Sequence, residues 1–193
     1  MACTISTGKA RYCKVQPGGI DKVYVIARFD ESSAKTLALD GTTNVLTATS
    51  GLTSYDGNPG AYFQFDTDPY LSSLNQTIVV NEGGGVGYQQ DLELVFKGVY
   101  GKADKTFNNL ANGSWQIVVE DNTGTLYFCG LNKGMIATGG SFGHNGDKAI
   151  SDNMAYTLQF QAIELEPAQN CGNLANFSEQ ADVTISTSQL NGD

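Results

Sequence analysis

The chain has 193 residues, with 20 Asp and Glu against 11 Lys and Arg, a formal charge of −9, and 23 Gly beside 4 Pro. That length suits one domain able to bury a core without disulfides or metals, and the excess of Gly over Pro points to a turn-rich β protein rather than to disorder or collagen. The negative charge argues against ordinary duplex binding; no run approaches the roughly 20 apolar residues of a membrane helix, and Met1-Ala-Cys-Thr has neither the basic start nor the apolar region of a signal peptide.

In chain order, residues 1–19 read as an N-terminal arm carrying the longest basic cluster, Lys9, Arg11 and Lys14. Pro17-Gly18-Gly19 is a turn, and Lys22 to Phe29, rich in β-branched and aromatic residues, is a strand. Residues 32–60 read as weak strands and loops ending in Tyr55-Asp-Gly-Asn-Pro-Gly. Ala61 to Asp66, Gln76 to Asn81 and Tyr88 to Phe96 are strands expected to pair with one another, the last with Leu92, Leu94 and Phe96 on one face and Glu93, Val95 and Lys97 on the other. Between the last two, Glu82-Gly83-Gly84-Gly85-Val86-Gly87 reads as a flexible hairpin loop, because its glycines allow positive φ and leave no side chains to fix the tip.

Lys102 to Gly113 is the helix candidate, with Ala103, Phe107, Leu110 and Ala111 at helical spacing and Gly113 as the stop. Ser114 to Glu120, then Asp121-Asn-Thr-Gly124, then Thr125 to Gly130 reads as strand, turn, strand. Further turns fill Gly134 to Asp147, and Met154 to Leu165 is a core strand in which Met154, Tyr156, Leu158 and Phe160 alternate with Ala155, Thr157, Gln159 and Gln161. Beyond Glu166 the composition turns polar. The domain plan is therefore an arm (1–19), a β domain (20–166) and a C-terminal extension (167–193), in which a late strand at Val183 to Ser186 suits addition to a neighbour's edge.

Residues that carry chemistry are sparse. Cys3, Cys13, Cys129 and Cys171 include no Cys-x-x-Cys pair and no adjacent His, so free thiols are expected rather than zinc, with a Cys3–Cys13 disulfide as the alternative. His144, the single histidine, has no paired nucleophile in its turn-like context, and the Gly-x-Ser-x-Gly nucleophile elbow is expected to be missing. Gly83 to Gly87 lacks the Gly-Lys-Ser/Thr and helix of a phosphate loop, and Asp66-Thr-Asp68 and Asp121-Asn122 lack the remainder of a calcium loop. Asn75-Gln-Thr, Asn112-Gly-Ser and Asn176-Phe-Ser match the glycosylation triplet without a secretory route to use it. Trp115 reads as core. The expectation is a non-enzyme with no catalytic, cofactor-binding or metal-ligating residue.

One stretch carries a resemblance. Tyr62-Phe-Gln-Phe-Asp66, a glycine-bearing hairpin tip leading to Tyr88-Gln-Gln, a short helix and Trp115-Gln-Ile-Val-Val-Glu-Asp-Asn-Thr-Gly124 follow in order. Leu126-Tyr-Phe-Cys-Gly, Ala137-Thr-Gly-Gly, Asp152-Asn-Met-Ala-Tyr-Thr-Leu-Gln-Phe160 and Glu164-Leu-Glu-Pro-Ala168 continue the series, and Ala2-Cys-Thr-Ile, Tyr12-Cys-Lys and Gly18-Gly19-Ile20 stand at the start. Over about three quarters of the chain this resembles the tail tube and tail ring proteins of tailed bacteriophages, of the gut Bacteroides or crAss-like phage type.

The resemblance implies a mainly β fold, a tail-tube-like β-sandwich or partial barrel with one short flanking α-helix and extended N- and C-terminal arms. It also implies a structural virion protein, made in the host cytoplasm and residing in the virion tail. Copies would assemble into hexameric rings or a tube, or into a twelve-fold ring if linked to a portal, with inner sheets joined around a channel for genome ejection. The partners expected are further copies and other tail or portal proteins, with no membrane, and genomic DNA passing an acidic lumen without specific binding. Glu82, Gly83, Gly84, Gly85, Val86, Gly87 and Tyr88 are the candidate inter-subunit contacts, since a hairpin can order on a neighbour. A carbohydrate- or receptor-binding β-sandwich module, stacking sugars on Trp115, Tyr127 or Tyr55, is the alternative.

Overall fold

The computed structural model of the chain describes residues 18–27, 36–39, 46–50, 61–67, 70–80, 82–97, 103–143, 155–172 and 184–186. Residues 1–17 of the arm with Cys3 and Cys13, most of residues 32–60 with Tyr55, and Asp68, His144 and Asn176 lie outside the described residues.

The strands are β1 (Ile20–Ala27), β2 (Thr36–Leu39), β3 (Leu46–Ser50), β4 (Ala61–Asp66), β5 (Ser73–Val80) and β6 (Val86–Lys97), followed by α1 (Ala103–Asn112). Then come β7 (Ser114–Asp121), β8 (Leu126–Cys129), β9 (Met135–Gly143), β10 (Ala155–Glu164), β11 (Gln169–Gly172) and β12 (Thr184–Ser186). β2 and β3 form a separate ribbon; the others make one curled, mostly antiparallel half-barrel sheet in the order β12-β4-β1-β7-β9-β10-β6-β5, with β8 and β11 branching from β7. The mainly β architecture with one helix is as expected.

Alternation sets the two faces of this sheet. Phe160 stands opposite Leu92, which stands opposite Leu74, and these side chains point into the core with Leu94, Leu158 and Tyr156. On the other half of the sheet Val23 faces Val119 and Val25 faces Ile117, closing the same core. Full burial of each such side chain contributes about 1.5–3 kcal/mol. α1 supplies Phe107 and Leu110: the Phe107 ring stacks on Tyr156 at 4.6 Å between centroids and tilts against Phe96 at 5.1 Å. The helix stops at Gly113, where a Cβ would lie 2.3 Å from the Trp115 indole, and the indole Nε1 donates to the Leu110 carbonyl at 2.8 Å. Trp115 thus serves the core, partly buried against it.

The opposite face of β1, β4 and β7 is buried as well, by Tyr24, Tyr62 and Val118, with Phe128 of β8. There the Tyr24 hydroxyl donates to Glu120 Oε2 at 2.6 Å.

Three expectations need correction. The stretch from Gly134 on, read as turns, holds strand β9 (Met135–Gly143). β4 does not pair with β5 and β6: it pairs with β1, Val23 opposite Phe65, and stands near the other end of the sheet. That pairing brings Phe65 to within 5.9 Å of Phe96 across the core, a contact that strand alternation alone does not specify. Residues 169–172, expected to begin a polar extension, form β11 against β8, with Cys171 fully buried. β12, the late strand, adds in parallel to β4 of its own chain.

Candidate functional site

β5 is the last strand of the sheet, bonded to β6 on one side and paired on the other with no strand among the described residues. Its sequence, Ser-Leu-Asn-Gln-Thr-Ile-Val-Val, has no charge and no proline. The register with β6 runs from Ser73 opposite Glu93 to Val80 opposite Val86 without a bulge, and every β5 residue except Leu74 is exposed. Proteins ordinarily blunt an edge strand with charge, proline, a bulge or shortness, because its free N–H and C=O groups template pairing with another chain. β5 uses none of these.

The expected contact residues Glu82 to Tyr88 form the tip where β5 turns into β6. Glu82, Gly83 and Gly84 make the turn, with Gly84 at φ 78°. The loop is shorter than the sequence suggests. Val86, Gly87 and Tyr88 already belong to the ladder, opposite Val80, Val79 and Ile78. A Cβ on Gly87 would meet Ile163 Cγ2 of β10 at 3.4 Å, an ordinary van der Waals contact.

Apolar side chains collect at this end. Ile78, Val80 and Val86, 62%, 63% and 49% exposed, continue the core-side face past the end of the core. Val79 and Ile163 with Ile136 occupy the other face, and Leu165 lies just beyond β10. Single exposed apolar residues need no explanation, but a cluster marks an interaction surface. Farther along the outer face the side chains are polar: Gln161 Nε2 donates to Asp91 Oδ1 at 2.7 Å and Gln89 Nε2 to Asp91 Oδ2 at 2.8 Å. Amides, not cations, hold this carboxylate. Glu93 adds a second acid, and Lys97 at the far end is the cation that β5, β6, β9 and β10 carry.

Buried polar side chains brace the hairpin from the core side. Glu164, 5% exposed, accepts through Oε1 the backbone N–H of Asn132 at 3.1 Å and of Lys133 at 2.8 Å. Gln90 Oε1 accepts from the Gly130 N–H at 2.9 Å, and the exposed Gln76 of β5 accepts through Oε1 from the Ala168 N–H at 2.8 Å. The corner after β10 is thereby tied to β5. A cleft beside Gln90 and Glu164 measures about 10 Å³, room for roughly one water and not for a substrate.

Elsewhere the other candidates resolve into structure. Asp121 Oδ1 accepts from the N–H groups of Thr123 at 2.8 Å and Thr125 at 3.0 Å, ordering the hairpin turn with Gly124 at φ 79°. The letters of a Gly-x-Ser-x-Gly pattern occur at Gly139-Gly140-Ser141-Phe142-Gly143, but they run along β9, paired to β10, rather than on the strand-to-helix turn that exposes a nucleophile. Cys129 and Cys171 are buried free thiols, and burial pushes both up, Cys171 to about 12. Tyr127 is half-buried on β8.

Sequence reasoning missed β5 as the edge, and missed Gln90 and Glu164. Their signal was present: Gln90 shares parity with Leu92 and Leu94, and Glu164 with Leu158 and Phe160. No protein-family model matches the chain, and no curated protein matches it.

Proposed function

We propose that the chain is a non-enzymatic structural virion protein that assembles through repeated edge-to-edge β contacts into rings or a tube, part of a phage tail conduit for genome delivery. The observation that carries this reading is β5: eight uncharged residues, free of proline and bulge, at the end of a sheet with no further strand beside them among the described residues. An edge of that kind on a solitary protein is an aggregation site, and on an assembling one it is an interface. The apolar hairpin end gives a second contact zone, suited to copies stacked along an axis.

The polar outer face supports the conduit. Asp91 and Glu93 repel phosphate, so a lumen lined by this face lets DNA slide, whereas a basic one would hold it through counterion release. The strands β9, β10, β6 and β5 at about 4.8 Å spacing span roughly 19 Å, so six copies make a cylinder about 37 Å across the backbone before strand tilt widens it, and twelve make one about twice as wide.

Negative-stain microscopy of the purified protein over a concentration series tests the reading. Closed rings or tubes are expected, six-fold for a tube and twelve-fold for a portal-linked ring. A Thr77→Lys variant, placing a charge in the middle of the edge, is expected to stay monomeric with unchanged thermal stability. Wild-type protein that stays monomeric at every concentration and alongside its virion neighbours would refute it.

A further inference from the structure

Resting on the assembly reading above, the topology identifies the strand that receives β5: we infer that β5 of one copy pairs antiparallel with Ala137–Gly143 of β9 in the next. β9 pairs with β7 only through Met135 and Ile136; from Ala137 onward it is bonded to β10 on one side, and on the other, which α1 approaches, no strand among the described residues pairs. The unit β9-β10-β6-β5 therefore ends in two edges of similar length that no strand among the described residues pairs with, eight residues on β5 and the last seven of β9.

Parity decides the direction. The three pairings inside the unit are all antiparallel, so with four strands β5 and β9 run opposite ways. A copy rotated about an axis along the strands meets its neighbour with β5 antiparallel to β9, core faces on one side and polar faces on the other. An odd strand count would force a parallel seam. This contact is heterologous, so it repeats until the ring closes. Two-fold pairing of β5 with β5 is the competing use of the edge. With faces matched it is centred on Thr77, leaves β9 open, and stops at a dimer.

Barrel geometry supplies the register. Rows across the unit run Gly139, Gln159, Glu93, Ser73, so without stagger Ser73 lies level with Gly139. Closed barrels tilt their strands by about 35–45°, a stagger of roughly one residue per strand and about four per copy. Shifted by that amount so that the open stretches overlap, Ser73 meets Gly143, Asn75 meets Ser141 and Thr77 meets Gly139. Opposed residues on antiparallel strands lie within disulfide reach.

The test uses full-length Asn75→Cys and Ser141→Cys, mixed in equal amounts and oxidised, with unsubstituted protein and each variant alone as controls. Linked peptides are identified by mass spectrometry. The expected result is a 75–141 link in the mixture at least about ten-fold more abundant than the 75–75 and 141–141 self-links that each variant can form alone, and in the double variant a covalent ladder ending at the ring's copy number. Self-linking of Thr77→Cys with no 75–141 link overturns the inference in favour of a two-fold edge dimer. Rings that form without the 75–141 link overturn the junction but leave the conduit reading standing, whereas neither rings nor links overturn both.

Discussion

Removing the Glu164 carboxylate tests whether a buried acid holds the turn between β8 and β9. Its Oε1 receives two consecutive backbone N–H groups, at 3.1 and 2.8 Å. Hydrogen bonds to a charged acceptor are worth roughly 1.5–3 kcal/mol each in favourable cases, and the longer of these two and their partial exposure place the pair near the lower end. Together with the methylene lost from a 5% exposed side chain, Glu164→Ala is expected to cost about 3 kcal/mol, a fall in Tm of roughly 6–12 °C for a chain of this size. Glu164→Gln keeps an acceptor oxygen and is expected to lose about 1 kcal/mol. Urea unfolding followed by tryptophan fluorescence, with m unchanged, reads both values. If the two variants lose the same amount, below about 0.5 kcal/mol, the turn is held by something other than this carboxylate.

Two more predictions concern the glycines and the thiols. A Cβ on Gly124 (φ 79°) meets nothing within 4 Å, whereas one on Gly130 (φ 65°) would lie 2.7 Å from the Met135 amide nitrogen. Gly124→Ala should therefore cost about 1–2 kcal/mol from its left-handed backbone alone and Gly130→Ala at least about 3, and equal losses in thermal melts would contradict the packing argument. Burial raises the Cys171 thiol from 9.0 to about 12. Between those values the unfolded chain binds fewer protons than the folded one, so stability is full below the lower value and drains away as pH rises toward the upper. Under reducing conditions the urea midpoint should be lower near pH 10.5 than near pH 8, and Cys171→Ala should lessen the slope without abolishing it, because burial raises the Cys129 thiol as well; a midpoint that does not move would refute the assignment.

Local chemistry was the legible part of the sequence. The Asp121-Asn-Thr-Gly turn, the alternation of Tyr156, Leu158 and Phe160, and the helical spacing of Phe107 and Leu110 each depend on residues a few positions apart, and each appears where expected. Partner choice was not legible. β4 and β5 are neighbours in sequence and read alike, yet they lie near opposite ends of the sheet, because period-two patterning says which face is buried and not which strand lies alongside. The edge character of β5 follows from that same long-range order, so its importance stayed hidden in an ordinary-looking strand. Gln90 and Glu164 were hidden for another reason: a polar letter at a core-parity position is usually read as the end of the core, and here it is a brace.

The long reach of the β1–β7 pairing has a consequence for synthesis. Tyr24 and Glu120, joined across it, are 96 positions apart, whereas β5 and β6 fold back on each other within Ser73–Lys97. On the ribosome the sticky hairpin is complete while β1 still waits for its partner, and distant pairings of this kind form slowly. For that interval an open strand edge is displayed by a chain without a finished core behind it. Orderly rings then depend on keeping nascent copies apart until β10 has emerged, so slower translation and lower temperature during expression shift the product from precipitate toward assembled protein.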